Sequence, residues 1–86
     1  MRAKGDSMEP TISDSELLMF RKTSELPPVG SVVLCRKANG LKIKRLGRYN
    51  TENGLAYRLV SDNKAKYELF PADDSVQILG KLVRMN

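Results

Sequence analysis

Ser31-Val-Val-Leu-Cys-Arg36, then Lys37-Ala38-Asn39-Gly40, then Leu41-Lys-Ile-Lys-Arg-Leu46 read together as a β-hairpin. The first segment is a strand rich in Val32, Val33, Leu34 and Cys35. Asn39-Gly40 lies between two apolar runs, and both residues tolerate the positive φ that tight hairpin turns require. On the returning strand Leu41 and Ile43 face one way, and Lys42, Lys44 and Leu46 the other. Upstream, Pro27, Pro28 and Gly30 form a loop that no helix crosses. Before that loop, Glu16-Leu-Leu-Met-Phe-Arg21 reads as a strand buried on both faces or nearly so. Downstream, Gly47 to Gly54 reads as a polar turn, Leu55 to Val60 as a strand, and Asp62 to Ala72 as a loop holding Tyr67, Phe70 and Pro71. Val76 to Met85 is a long final strand, with a bulge or a close backbone approach expected at Gly80. A short turn around Met8 to Ser13, broken by Pro10, is the one helical feature. The fold class predicted is mostly β: twisted antiparallel strands and hairpins in a single domain over 1–86, with no repeat, linker or low-complexity segment.

Eighty-six residues supply one modest core. The single cysteine, Cys35, makes no internal disulfide and is assigned to that core. No apolar run approaches the roughly 20 residues that span a bilayer. Met1-Arg-Ala-Lys-Gly5 has no apolar stretch behind it, so it does not read as a signal peptide. A cytoplasmic protein with no membrane partner is the expectation. The net charge of +5 raises nucleic acid as a partner. The basic residues are scattered, however, and five aromatics show no interleaved stacking pattern. A solvated basic surface is the favoured reading, with direct nucleic-acid binding a minority option. Asp62, Asp73 and Asp74 lack His or Cys partners and calcium-loop spacing, so no metal and no cofactor are predicted. Met1, Met8, Met19 and Met85 read as gap-fillers, and Met8 as a candidate wall of a small apolar pocket.

Chemistry concentrates in Gly5-Asp-Ser-Met-Glu-Pro-Thr11 and in Lys44, which follows Ser7 by 37 positions. The chain contains no histidine, which removes Ser-His-Asp and Cys-His mechanisms. A hydroxyl nucleophile here needs another base. Gly-Asp-Ser alone is more often an ordinary turn. A lysine on an amphipathic strand is more often solvated. Burial changes the second case, because it lowers a lysine's pKa by up to several units from its reference of about 10.4. Neutral Lys44 would then take the Ser7 proton and return it to a leaving amine. Gly5 and Pro10 keep the turn out of a helix, so peptide N–H groups around Gly5, Asp6 and Met8 are candidates for an oxyanion and substrate pocket. Lys42, two residues away on the same face, is expected to disfavour protonation of Lys44 if the two approach.

With these residues in view, the chain resembles the LexA/UmuD/phage-repressor family of self-cleaving peptidases. Gly5-Asp-Ser-Met-Glu-Pro-Thr-Ile12 and Glu16-Leu-Leu-Met-Phe20 are similar to that family's nucleophile region, and Leu41-Lys-Ile-Lys-Arg-Leu46 to the strand carrying its general-base lysine. Leu59-Val-Ser-Asp-Asn63 with Tyr67, then Val76-Gln-Ile-Leu-Gly-Lys-Leu-Val83, are similar to its closing strands. The resemblance implies a LexA-like C-terminal-domain fold, a Ser7-Lys44 dyad and a homodimer through C-terminal strands. It also implies a polypeptide substrate in the protein's own upstream segment or a partner chain. Cleavage is promoted in such proteins by the recombinase filament on single-stranded DNA, in the SOS response or prophage induction.

Two features depart from the family pattern. Neither Ala-Gly nor Cys-Gly, its usual cleavage pairs, occurs in the chain, and six residues precede Ser7. A helix-turn-helix domain and a cleavage segment are therefore expected outside it. An excised C-terminal domain, a stand-alone member and a degenerate relative all fit. Lys42 also stands where family members often carry a hydroxyl that orients the lysine. Two competing readings are a soluble signal-peptidase-like fragment and a dimerisation module with an idle dyad. Arg48-Tyr-Asn-Thr-Glu, in place of Pro-Gly-Asp, speaks against the first.

Overall fold

In the computed structural model, residues 1–38 and 40–85 are described, the side chains of Lys66, Arg84 and Met85 excepted. Six strands form one antiparallel sheet: β1 (Leu18–Lys22), β2 (Val32–Lys37), β3 (Gly40–Thr51), β4 (Gly54–Val60), β5 (Leu69–Pro71) and β6 (Val76–Met85). Their order is β1-β6-β2-β3-β4-β5, so the last strand inserts between the first two. The fold is mostly β, as the sequence predicts.

The β2–β3 hairpin sets Val33 opposite Lys44 and Cys35 opposite Lys42. Gly40 is the first residue of β3, opposite Lys37, and Ala38 takes φ +53°. Asn39, half of the expected Asn-Gly turn, lies outside the described residues. The polar turn expected from Gly47 to Gly54 is instead mostly strand. β3 runs on to Thr51, with Arg48 opposite Tyr57 and Tyr49 opposite Ala56. Antiparallel sheets tolerate a wet face, so the polar residues Arg48 and Asn50 mark solvent and not a chain reversal.

The loop expected from Asp62 to Ala72 contains a 3₁₀ turn at Lys64–Lys66, capped by the Asn63 side chain, and then β5. Phe70 of that short strand is buried, and Pro71 ends an edge strand, where its missing N–H is tolerated. Glu16 to Arg21 also departs from expectation. β1 is the other edge strand, only Leu18 within it is buried, and Met19 is 56% exposed. With one neighbouring strand and one covered face, β1 has no second face to bury. Met1 is exposed as well, so neither it nor Met19 fills a gap, whereas Met8 is buried. The side chain of Met85 lies outside the described residues.

Alternation along β2 sends Val32 and Val33 into different clusters. The first gathers Ala3, Met8, Ile12, Leu18 and Val32, with Phe20, Ile43 and Leu82 packed against it. It is roofed by the N-terminal segment, in which Ile12 N–H donates to the Met8 carbonyl in a single helical turn. The second gathers Val33, Cys35, Leu46, Leu59 and Phe70. Phe70 of edge strand β5 thus shares a cluster with Cys35 of β2, and its ring lies 4.7 Å from Lys37 Nζ of β2 across two intervening strands, so the sheet curls around this cluster.

Both features expected at Gly80 are present. Gly80 lies opposite Leu34 and Ile78 opposite Cys35, leaving Leu79 as a bulge, and a Cβ on Gly80 would lie 2.8 Å from the Arg21 carbonyl oxygen. That atom is backbone of the neighbouring β1 and cannot swing aside. Gly80→Ala is therefore expected to cost about 1–3 kcal/mol, read as a lowered urea midpoint at unchanged m-value. An unchanged midpoint would show that β1 shifts freely.

Candidate active site

β4 ends at Val60, opposite Arg45, so Lys44 is the first residue of β3 beyond the end of that ladder. The chain leaving β4 and the N-terminal turn both come in there. Asn63 ties them: its N–H donates to the Ser7 carbonyl at 2.8 Å and its Nδ2 to the Asp6 carbonyl at 2.7 Å. Gly5, at φ +81°, begins the turn in the left-handed region that favours glycine. The result brings Lys44 Nζ to 3.2 Å from Ser7 Oγ. Lys44 is 2% exposed, one of two buried polar or charged residues among those described.

The other is Ser61. Its Oγ accepts from Lys44 Nζ at 3.0 Å and from the Glu68 N–H at 3.1 Å, which ties the amine to the chain that follows β4. Glu68 adds a carboxylate: its Oε1 lies 3.3 Å from Lys44 Nζ and 3.2 Å from Lys42 Nζ, and its Oε2 accepts from Lys42 at 3.4 Å. Burial pushes the Glu68 carboxyl up, but hydrogen bonds and charge from Lys42 and Lys44 outweigh that and hold it below the usual carboxylate range. Sequence reasoning assigned no role to either residue. For Glu68 one signal existed: two lysines on one strand face, i and i+2, call for a counter-charge. Lys42 accordingly meets Lys44 through a shared carboxylate and not as a bare second cation. From β2, Cys35 donates its Sγ–H to the Lys42 carbonyl at 3.4 Å, and burial pushes the thiol up to about 11.

Arg45, next to the lysine, clamps the incoming segment. Its Nε and Nη2 donate to Asp62 Oδ1 and Oδ2 at 2.8 and 2.7 Å, and Thr11 Oγ1 donates to Oδ2 at 2.6 Å. The Arg45 hydrogen bonds hold the Asp62 carboxyl below its usual range against the effect of burial, with Thr11 assisting. A carboxyl depressed on folding stabilises the fold above its unfolded value, near 3.9, and loses that contribution as pH falls through the folded value. Asp62→Asn is expected to cost about 1–2 kcal/mol at pH 7 and to flatten the loss of stability below pH 4, measured by urea titrations across pH. Equal acid sensitivity in both proteins would contradict this.

Beside Ser7 opens a cavity of about 400 Å³, lined by Gly5, Ser7, Met8, Leu34 and Ile43, with Arg2 and Lys4 adding positive charge. Of the residues expected to shape an oxyanion and substrate pocket, Gly5 and Met8 line it and Asp6 does not. The Gly5 N–H is taken by Asp14 Oδ1 at 2.8 Å. The Ser7 and Met8 amides donate to no protein acceptor among the described residues. No group of three or more His, Cys, Asp or Glu able to hold a metal occurs among the described residues, and no helix is long and apolar enough to cross a membrane.

A small curled antiparallel sheet, presenting a turn serine to a strand lysine buried at the end of a ladder, defines the class of domain. The family model described as Peptidase S24-like matches residues 1–83, and the chain belongs to that family, the LexA/UmuD/phage-repressor type of peptidase domain. Searches of curated proteins and of solved structures each found no match.

Proposed function

We propose that the domain is a serine endopeptidase in which Ser7 is the nucleophile and Lys44 the general base. The observation that carries this reading is the 3.2 Å approach of a lysine amine, 2% exposed, to the serine hydroxyl in a chain without histidine. Neutral Lys44 takes the Ser7 proton as Oγ attacks the carbonyl carbon of a peptide bond. The Ser7 and Met8 amides receive the oxyanion. Lys44 then returns the proton to the leaving nitrogen as the C–N bond breaks, leaving an ester on Ser7. Water, deprotonated by the same amine, releases the acyl group.

The substrate proposed is a polypeptide segment upstream in the same protein or in a partner chain, in a cytoplasmic regulator of the SOS response or of a prophage. The recombinase filament on single-stranded DNA would favour the conformer that seats the scissile bond, and DNA contact would fall to a domain outside this chain. A homodimer is proposed through the C-terminal strand, where Val83 on β6 and Met19 on neighbouring β1 are both exposed. A second reading, a dimerisation module with an idle dyad, draws on one observation: the Glu68 carboxylate stands against the base.

The test is cleavage of a separate peptide bearing an Ala-Gly segment, followed by mass from pH 7 to 10. Cleavage that grows with pH and vanishes in Ser7→Ala and Lys44→Ala supports the peptidase. A folded domain that leaves the peptide and a tethered upstream segment intact at every pH overturns it in favour of the module.

A further inference from the structure

Two lysines two residues apart on one face of β3 share a single carboxylate. Lys42 donates to both Glu68 oxygens, at 3.2 and 3.4 Å, while Lys44 Nζ stands 3.3 Å from Oε1. The asymmetry matters because the environments differ. Lys44 is buried, whereas the Glu68 side chain is 43% exposed and Lys42 is 34% exposed. Glu68 can therefore leave Lys44 without leaving its own salt bridge. It has both the room to turn and a second cation to turn to.

The remaining neighbours of Lys44 Nζ do not offer this. Ser7 from the N-terminal turn and Ser61 after β4 are neutral hydroxyls. Cys35, from β2, is a neutral thiol near pH 7. The Asp62 carboxylate is engaged by Arg45 and Thr11, and Asp6 and Glu9 belong to the turn that carries Ser7. Among the described residues, Glu68 is the acid shown in an ion pair with the amine. A carboxylate at that distance stabilises an ammonium and opposes its service as a base.

We propose that Glu68 is a positioning residue that holds Lys44 charged at rest and releases it to Ser7 when its carboxylate withdraws onto Lys42. This rests on the Ser7-Lys44 reading for its consequence in catalysis, but not for its geometry. An incoming polypeptide that competes for Glu68, through a cationic side chain or backbone N–H groups, would switch the dyad on as it binds.

The experiment compares the wild-type domain, Glu68→Gln and Lys42→Met. For each, the pH dependence of peptide cleavage is measured beside an NMR titration of the Lys44 side-chain carbons, which needs no turnover. Glu68→Gln is expected to lower both midpoints by about one unit or more and to raise the rate below the midpoint about tenfold. Lys42→Met is expected to raise both, because Glu68 then turns wholly to Lys44 and a like charge is lost. A contact that merely props the fold would lower the rate at every pH and leave the midpoints in place, which would overturn the proposal. Should Glu68→Gln fail to fold, Lys42→Met carries the same test with opposite sign. Cleavage surviving Lys44→Ala would sink the dyad reading alone, and the NMR titrations would still decide the role of Glu68.

Discussion

Lys44→Ala and Lys44→Arg are each expected to lower kcat/KM for peptide cleavage by about 10³-fold or more while the domain stays folded. Alanine removes the amine within reach of Ser7 Oγ, and the chain has no histidine to replace it. Arginine is the sharper variant. It keeps a cation beside Glu68 and Ser61, so most of the local contacts survive, but a guanidinium stays protonated at every accessible pH and accepts no proton. Loss in both variants therefore isolates proton transfer from charge and packing. Either variant within tenfold of wild type would show that Lys44 is not the base. The fold has reason to survive: Glu68 keeps its salt bridge to Lys42, and Ser61 Oγ keeps the Glu68 N–H. Circular dichroism and a urea midpoint close to wild type are the required controls.

Leu59→Ala is expected to cost about 2–5 kcal/mol, the range for emptying a large apolar side chain from a packed core. Leu59 is fully buried, and it sits where Val33, Cys35, Leu46 and Phe70 meet inside the curl of the sheet. A domain of this size has about 4–13 kcal/mol of stability in all. The loss is thus a large fraction of the whole, and the variant should melt well below wild type. Leu55→Ala, on the same strand but exposed, is expected to change stability by less than about 0.5 kcal/mol. Urea titrations of the pair make the test. A Leu59→Ala cost below about 1 kcal/mol would mean that this cluster is loose and that the curl is held elsewhere. The active site would feel that difference, since Ser61 and Asp62 follow Leu59 by two and three residues.

The hairpin of β2 and β3, the final strand and the pairing of Ser7 with Lys44 were legible because their signals are local or resemble a known pattern. Strand alternation around Lys44, the apolar run of β2 and a glycine at a chain reversal each act over a few residues. The misreadings share a cause. Arg48 and Asn50 look like a turn until β4 is laid beside them and their polarity becomes that of a wet face. Phe70 and Pro71 look like loop until β4 offers the ladder that makes them an edge strand. β1 looks buried on both faces because its apolar residues do not declare that it lies at the edge.

From the amino-acid sequence alone came the β class, the absence of any imidazole and the nomination of one hydroxyl and one amine. Those follow from composition and from forces acting between near neighbours. The tertiary structure decided the rest: β6 inserted between β1 and β2, the sheet curled around Leu59, Ser61 beneath the lysine, and Glu68 shared between two lysines. Glu68 lies 26 positions from Lys42, and Ser61 lies 17 from Lys44. Contacts at such separations exist only after strand order and register have closed the loops between them. The charge that surrounds the amine was therefore a property of the packed chain and not of any segment of it.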